Sequence, residues 1–216
     1  MTKHLFSAQP SLITQFLNAL RDVSTQGNRR LFNENLQRIG FLLGYEMSKQ
    51  MAWEPVSITT PLAICNSSQL AEQPVIIGIM RAGAPLLEGL RQAFDGADIG
   101  FIGAFRNHSN NDDHFEIALD YLACPSLEGR TVIIADPMLA TGQSLVKTVQ
   151  QLEKHGTPKA LNIVSVVGAP EGVAHLEAHL PNATLWLAAL DSHLNSHSYI
   201  VPGLGDAGDL CFGPKL

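Results

Sequence analysis

The stretch Thr131-Val-Ile-Ile-Ala-Asp136-Pro-Met-Leu-Ala-Thr141-Gly142-Gln-Ser144 decides the fold. Val132 to Ala135 is a continuous apolar run of the kind buried on both faces of a parallel sheet. Asp136 therefore emerges at the carboxyl end of a strand, where open α/β sheets place their ligands. Gly142 permits a tight turn, Thr141 and Ser144 offer hydroxyls, and a helix opening near Leu145 presents unpaired N–H groups and the positive end of its dipole. A phosphate fits such a loop without a lysine. The same residues also suit an ordinary strand-to-helix turn with Ser144 as N-cap, so the loop alone leaves both readings open.

Outward from that loop the apolar pattern switches repeatedly between the strand and helix periods. Val75 to Ile79, Ile99 to Phe105, Leu161 to Val167 and Thr184 to Leu190 read as strands, and Val56 to Ile64 alternates loosely enough to read as another. Pro85 to Phe94, Ser144 to His155 and Pro170 to His179 read as helices, with proline in the first turn of the first and third and Gly156 closing the second. Leu12 to Leu20 and Leu31 to Met51 are helical too, and Phe32, Leu36, Ile39, Leu43 and Met47 form one stripe suited to core packing or a subunit contact. Strands alternating with helices predict an α/β fold: a mostly parallel central sheet flanked by helices, preceded by N-terminal helices. Asn107 to His114 has no apolar periodicity and is expected to be a mobile loop or a flexible hairpin arm.

At 216 residues, with no internal repeat or low-complexity linker, the chain is expected to form a single domain, 1–216. A hydrophobic fraction of 45% and a charged fraction of 16% fit a globular protein, and no apolar run approaches bilayer-spanning length, so no membrane partner is expected. Met1 to Thr14 lacks the pattern of a secretory or transit signal, which predicts a cytoplasmic protein. Cys65, Cys124 and Cys211 are odd in number and widely spaced, suggesting neither a disulfide framework nor a thiolate metal site. A net charge of -6 argues against nucleic acid as a partner. An anionic substrate must then be met by local devices: arginines, a helix end and a metal cation.

Three further segments bear on chemistry. Arg81 follows the strand Val75 to Ile79, in a turn where Ala82 and Gly83 leave the backbone open to an anion, and Arg106 follows Ile99 to Phe105 in the same way. Gly203-Leu-Gly205-Asp-Ala-Gly208 spells the dinucleotide string G-x-G-x-x-G. Pro202 before it and eight residues after it deny the string its strand, helix and distal acid. It reads instead as a rigid loop that brings bare backbone against a flat ligand. His175 and His179 stand four apart on one predicted helix, but Glu177 points elsewhere, so a solvated helix surface is the reading adopted and no metal site is assigned. No nucleophilic triad has supporting context.

Asp136-Pro-Met-Leu-Ala-Thr-Gly-Gln-Ser144 resembles the phosphoribosyl-diphosphate loop of type I phosphoribosyltransferases, in the form typical of the uracil phosphoribosyltransferase family. Met80-Arg81-Ala-Gly83 is similar to that family's diphosphate loop, Phe105-Arg106-Asn107 stands at the place of its Tyr-Arg-Asn, and Tyr199-Ile-Val-Pro-Gly-Leu-Gly-Asp-Ala-Gly-Asp209 resembles its uracil-binding segment. The match runs from about Leu20 to Gly213. The resemblance implies transfer of ribose 5-phosphate from 5-phosphoribosyl 1-diphosphate to uracil, forming UMP and diphosphate. It implies donor binding by Arg81, Arg106, Asp136, Pro137, Met138, Leu139, Ala140, Thr141, Gly142, Gln143, Ser144 and Asp206, and uracil binding by Tyr199, Ile200, Gly205, Asp206 and Ala207. Asp136, Arg81 and Asp206 are the implied catalytic set, with Mg2+ carried by the diphosphate donor. A homo-oligomer, dimer or tetramer, and GTP binding are implied as well. The sequence departs from the family at Phe105, His108 to Asn110, Leu122 to Pro125 and Leu210. Those departures leave two alternatives: a regulatory protein of the same fold without turnover, or a transferase for another pyrimidine-like base.

Overall fold

The computed structural model describes residues 1–107 and 116–215, with the backbone alone at 104–107 and 116–120. In chain order the elements are β1 (Thr2–Leu5), α1 (Leu12–Arg21), α2 (Arg29–Ser48), β2 (Trp53–Thr59), β3 (Ile64–Leu70), β4 (Val75–Met80), α3 (Gly83–Ala93), β5 (Asp98–Asn107) and β6 (Glu116–Ala123). There follow β7 (Thr131–Ala135), β8 (Met138–Leu139), α4 (Gln143–Leu152), β9 (Ala160–Gly168), α5 (Pro170–His179), β10 (Thr184–Leu190), β11 (His193–Leu194), β12 (Ile200–Val201) and α6 (Ala207–Phe212). The main sheet runs β1-β10-β9-β7-β4-β5-β6, parallel except for the β5–β6 pair, with β8 added beside β9.

Alternate residues of the central strands feed two apolar clusters. Ile76, Ile133, Val164 and Trp186 pack with Leu20, Leu36, Leu43 and Leu90 from α1, α2 and α3. Val75, Ile77, Val132, Ile134 and Leu185 pack with Leu145, Val149 and Leu176 from α4 and α5. Both faces of the sheet are thus covered, which is why β4 and β7 read as unbroken apolar runs. Each fully buried aliphatic side chain contributes about 1.5–3 kcal/mol relative to exposure.

This layering places the site. The connection β4–α3–β5 runs one way along the sheet and puts α3 on one face; β7–α4–β9 and β9–α5–β10 run the other way and put α4 and α5 on the opposite face. β4 and β7 are direct neighbours, with Gly78 opposite Ala135. The chain therefore diverges between them, and a crevice opens at their carboxyl ends, the switch point at which such sheets bind ligands.

Several boundaries differ from expectation. The strand expected over Val56 to Ile64 breaks at Thr59; Thr60 Oγ1 accepts from the N–H of Ala63 at 3.1 Å and closes a turn into β3, making an antiparallel hairpin. β1 was not foreseen and is a four-residue edge strand parallel to β10, while β6, beyond the stretch expected as a loop or hairpin arm, pairs antiparallel with β5. α4 ends at Leu152, and a single 3-10 turn over Glu153–His155 carries the chain to Gly156. α5 and β10 match their expected spans. The arm expected over Asn107 to His114 lies, beyond Asn107, outside the described residues. Among the described residues no helix is long and apolar enough to cross a membrane.

Candidate active site

Asp136 leaves the end of β7 with its N–H donating to Val164 O at 3.1 Å. The loop that follows is fastened to β9: Pro137 O accepts from the N–H groups of Val166 and Val167, Leu139 O accepts from Ala169, and β8 pairs Met138 with Val167. Pro137 and Leu139 are buried. With both ends pinned, the loop turns at Gly142, which sits at φ 76° as the residue before α4. Thr141 Oγ1 accepts from the N–H of Gln143 at 3.4 Å. The N–H groups of Thr141, Gly142, Ser144 and Leu145 have no hydrogen-bond partner among the described residues. These unpaired donors, gathered at the positive end of a ten-residue helix, make an anion cradle. Ser144 is not the N-cap: Gly142 takes that position with no side-chain cap, so the plain capped-turn reading fails.

A side chain at position 142 is excluded twice over. Beyond the left-handed backbone, a Cβ there would lie 2.9 Å from Gly172 O on α5. Gly142→Ala is expected to destabilise the fold by about 1–2 kcal/mol and to weaken phosphate binding; urea unfolding and inorganic phosphate titration check the two effects.

The Asp136 carboxylate accepts the N–H of Met138 at 3.2 Å. Burial dominates that hydrogen bond and raises its pKa from 3.8 to about 6. The residue keeps some accessible surface, so polar groups supplied from outside can reach its charge.

Arg81 follows β4 across a cis Met80–Arg81 peptide. One amino group donates to Asp209 Oδ1 at 3.0 Å and to Gly213 O at 3.2 Å, while its Nε is buried without a partner. Asp206 is exposed, caps α6 by accepting the N–H of Asp209 at 3.0 Å, and has Oδ1 beside Gly208, which also neighbours Arg81. The segment from Asp206 to Asp209 thus lies against the loop after β4. Ahead of it in the chain, the Ile200 side chain is buried in the core and Tyr199 is half exposed. Val201–Pro202 is cis, and Gly203 and Gly205 take φ values of 60° and 86°. The N–H and C=O of Gly205 carry no hydrogen bond among the described residues, so bare backbone faces outward there.

Of the residues read from sequence, the structure brings Asp136, Pro137 to Ser144, Arg81, Asp206 and the Tyr199–Ala207 segment to one edge of the sheet. Arg106 lies on β5 opposite Ile117, its side chain outside the described residues. His179 is exposed on α5, its Nδ1 2.9 Å from His175 O, whereas His175 departs from the solvated-surface reading and is half-buried with its ring beside Gly142. Three residues went unread: Asp209, which holds Arg81, and the pair Arg21 and Asp191, which holds Gly203. The signal for Asp191 was available, since it follows the apolar strand β10 as Asp136 follows β7. Two clefts, of about 480 and 260 Å³, open at the amino ends of the strands, around Lys159, Pro181 and Glu72. They lie at the end of the sheet opposite Asp136 and Arg81.

The model of the uracil phosphoribosyltransferase family matches residues 7–214. The chain belongs to that family. It is 39% identical to the uracil phosphoribosyltransferase of Porphyromonas gingivalis over 97% of both chains. It is 40% identical to that of Thermococcus kodakarensis over 94% of this chain and 88% of the relative. The solved structure of the AQ2163 protein from Aquifex aeolicus superposes with a TM-score of 0.88 at 31% identity, covering 99% of this chain and all of that one. Family membership extends along the whole crevice, since the match includes every loop described above.

Proposed function

We propose that this member of the uracil phosphoribosyltransferase family transfers ribose 5-phosphate from 5-phosphoribosyl 1-diphosphate to uracil, releasing diphosphate and forming UMP. The observation that carries the reading is the buried carboxylate of Asp136 beside an unpaired-amide cradle at the switch point, with Arg81 and the glycine-rich segment on the same edge.

Breaking the ribose C1–oxygen bond leaves a cation-like sugar and a highly charged leaving group. The site must hold both and exclude water; it needs no protein nucleophile. The amides of Thr141, Gly142, Ser144 and Leu145 bind the 5-phosphate. Asp136 accepts from the ribose hydroxyls, whose approach replaces the water its burial removed. Arg81, with Arg106, neutralises the diphosphate. Gly205 to Ala207 present N–H and C=O to the uracil edge, alongside Tyr199 and Ile200. Mg2+ fits as an ion that arrives on the donor: the described residues gather no three His, Cys, Asp or Glu into a cage, and magnesium commonly keeps its waters and takes one or two carboxylates plus substrate phosphates. Asp206 would be the carboxylate to hold it, and the ion would supply charge neutralisation at the diphosphate.

We further infer a cytoplasmic homo-oligomer, dimer or tetramer, acting as one domain. The free thiols of Cys65, Cys124 and Cys211 suit a reducing compartment. Trp53, Ile58, Leu62 and Ile64 leave the β2–β3 hairpin with exposed apolar surface suited to a second copy.

The test is a panel assay with donor, magnesium and each free base, following diphosphate release. Turnover confined to uracil is the expected result; donor binding with no turnover of any base sinks it. Arg81→Lys is expected to raise the donor KM about tenfold with the uracil KM little changed, because a point charge cannot reproduce the guanidinium fork. Steady-state kinetics with each substrate varied check this.

A further inference from the structure

Gly203 is gripped on both of its backbone groups by a pair of side chains far from it in sequence. Arg21, the last residue of α1, meets Asp191 with two hydrogen bonds, Nη2 to Oδ1 at 2.6 Å and Nη1 to Oδ2 at 2.9 Å. The same Nη1 donates to Gly203 O at 3.1 Å, and the same Oδ2 accepts the N–H of Gly203 at 2.9 Å. Asp191 is itself tied to β9, its N–H donating to Gly168 O at 2.8 Å. Its neighbour Ser192 holds Val201 O twice, from N–H at 3.0 Å and from Oγ at 2.6 Å. Pro202 therefore stands between two residues whose backbone is fixed from behind.

Stability alone is a weak reason for such a pair. The Asp191 side chain is 6% exposed and that of Arg21 21%, so both surrender most of their water. Desolvation offsets much of the attraction in a buried ion pair, and apolar residues of similar volume often serve folding as well. What the pair does uniquely is set the position of one peptide unit. Two residues further along, Gly205 turns its unpaired N–H and C=O outward. Gln26 extends the support: its side chain donates to Arg21 O at 3.0 Å and lies near Gly205.

We infer that Arg21 and Asp191 are positioning residues for the acceptor base, locking the Val201–Gly205 backbone so that its outward amide groups meet a flat, imide-bearing ring at a fixed distance. This rests on the base-binding reading above. Neither side chain touches the base; both act through Gly203.

The experiment compares Asp191→Asn and Arg21→Lys with the unaltered enzyme. Uracil KM, donor KM, kcat, melting temperature and amide exchange over 200–206 are measured for each. Displacing a contact surface by about 1 Å costs on the order of 100-fold, so the uracil KM is expected to rise roughly 10- to 100-fold in Asp191→Asn and less in Arg21→Lys, with donor KM within about twofold. Exchange at Gly203, whose N–H is bonded to Asp191, should quicken in parallel. Variants that melt lower yet keep the parent's uracil KM overturn the inference, since the pair would then be structural only. Should Asp191→Asn not fold, Arg21→Lys, which keeps the charge and most of the packing, decides by the same split. An unaltered chain that fails to use uracil removes the base-site reading itself, a result visible before any variant is made.

Discussion

Asp136→Asn is expected to lose about 100-fold in kcat/KM for the donor while unfolding at no lower urea concentration than the parent. Two ribose hydroxyls donating to an ionised carboxylate are together worth about 3 kcal/mol more than to a neutral amide, which sets the size of the loss. The stability half follows from burial. The folded state binds the Asp136 proton more tightly than the unfolded chain does, since its pKa stands at about 6 against 3.8. Stability therefore falls as pH rises through that window and stays level above it. Ionised Asp136 costs the free protein at most about 3 kcal/mol at pH 8, less to the extent that its surface reaches water through the crevice. Asparagine removes that cost, keeps an oxygen for the Met138 N–H, and abolishes this part of the pH dependence. Donor kinetics at pH 8 and urea unfolding at pH 5 and pH 8 check both halves. Unchanged donor kinetics would falsify the role given to Asp136.

How much of this was legible beforehand depended on sequence distance. β7, Asp136 and the loop to Ser144 form one contiguous segment, so the apolar run, the carboxylate and the glycine could be read together. β4, β9 and β10 were legible for the same reason: burial on both faces leaves a continuous apolar signature. β3 was not, because Asn66, Ser67, Ser68 and Gln69 project from an exposed hairpin with no apolar contrast between its faces. β1 is too short and too polar to signal itself, and finds its place only by pairing with β10. In the site, Arg81 was read from its turn, but not its partner Asp209, 128 residues away. Arg21 and Asp191 lie 170 residues apart and meet only after β10 and α1 have docked on the same sheet. A carboxylate after a strand announces an edge of the sheet; nothing local announces which guanidinium will reach it.

Gly83→Ala is expected to have a large effect for a single-methyl change near the crevice: a loss exceeding 100-fold in kcat/KM for the donor, with a melting temperature lower by roughly 5–10 °C. Gly83 opens α3 two residues after Arg81, and a Cβ there would lie 2.5 Å from Ala135 O, the last carbonyl of β7 before Asp136. Neither partner is a flexible side chain that can swing aside. The β4–β7 pairing of Gly78 with Ala135 holds both backbones at sheet spacing, so relief comes only by lifting the start of α3 or by breaking that register. Overpacking of this kind costs about 1–3 kcal/mol, and each kcal/mol lowers the melting temperature of a domain this size by roughly 2–4 °C. The kinetic loss comes from geometry: the added methyl is a wedge between the Arg81 turn and the Asp136 loop, the two elements that must close on one donor. Gly27→Ala is the control, since nothing lies within 4 Å of its Cβ position. If Gly83→Ala melts lower but retains parental donor kinetics, the crevice tolerates spreading, and the close apposition of the two loops is not what grips the donor.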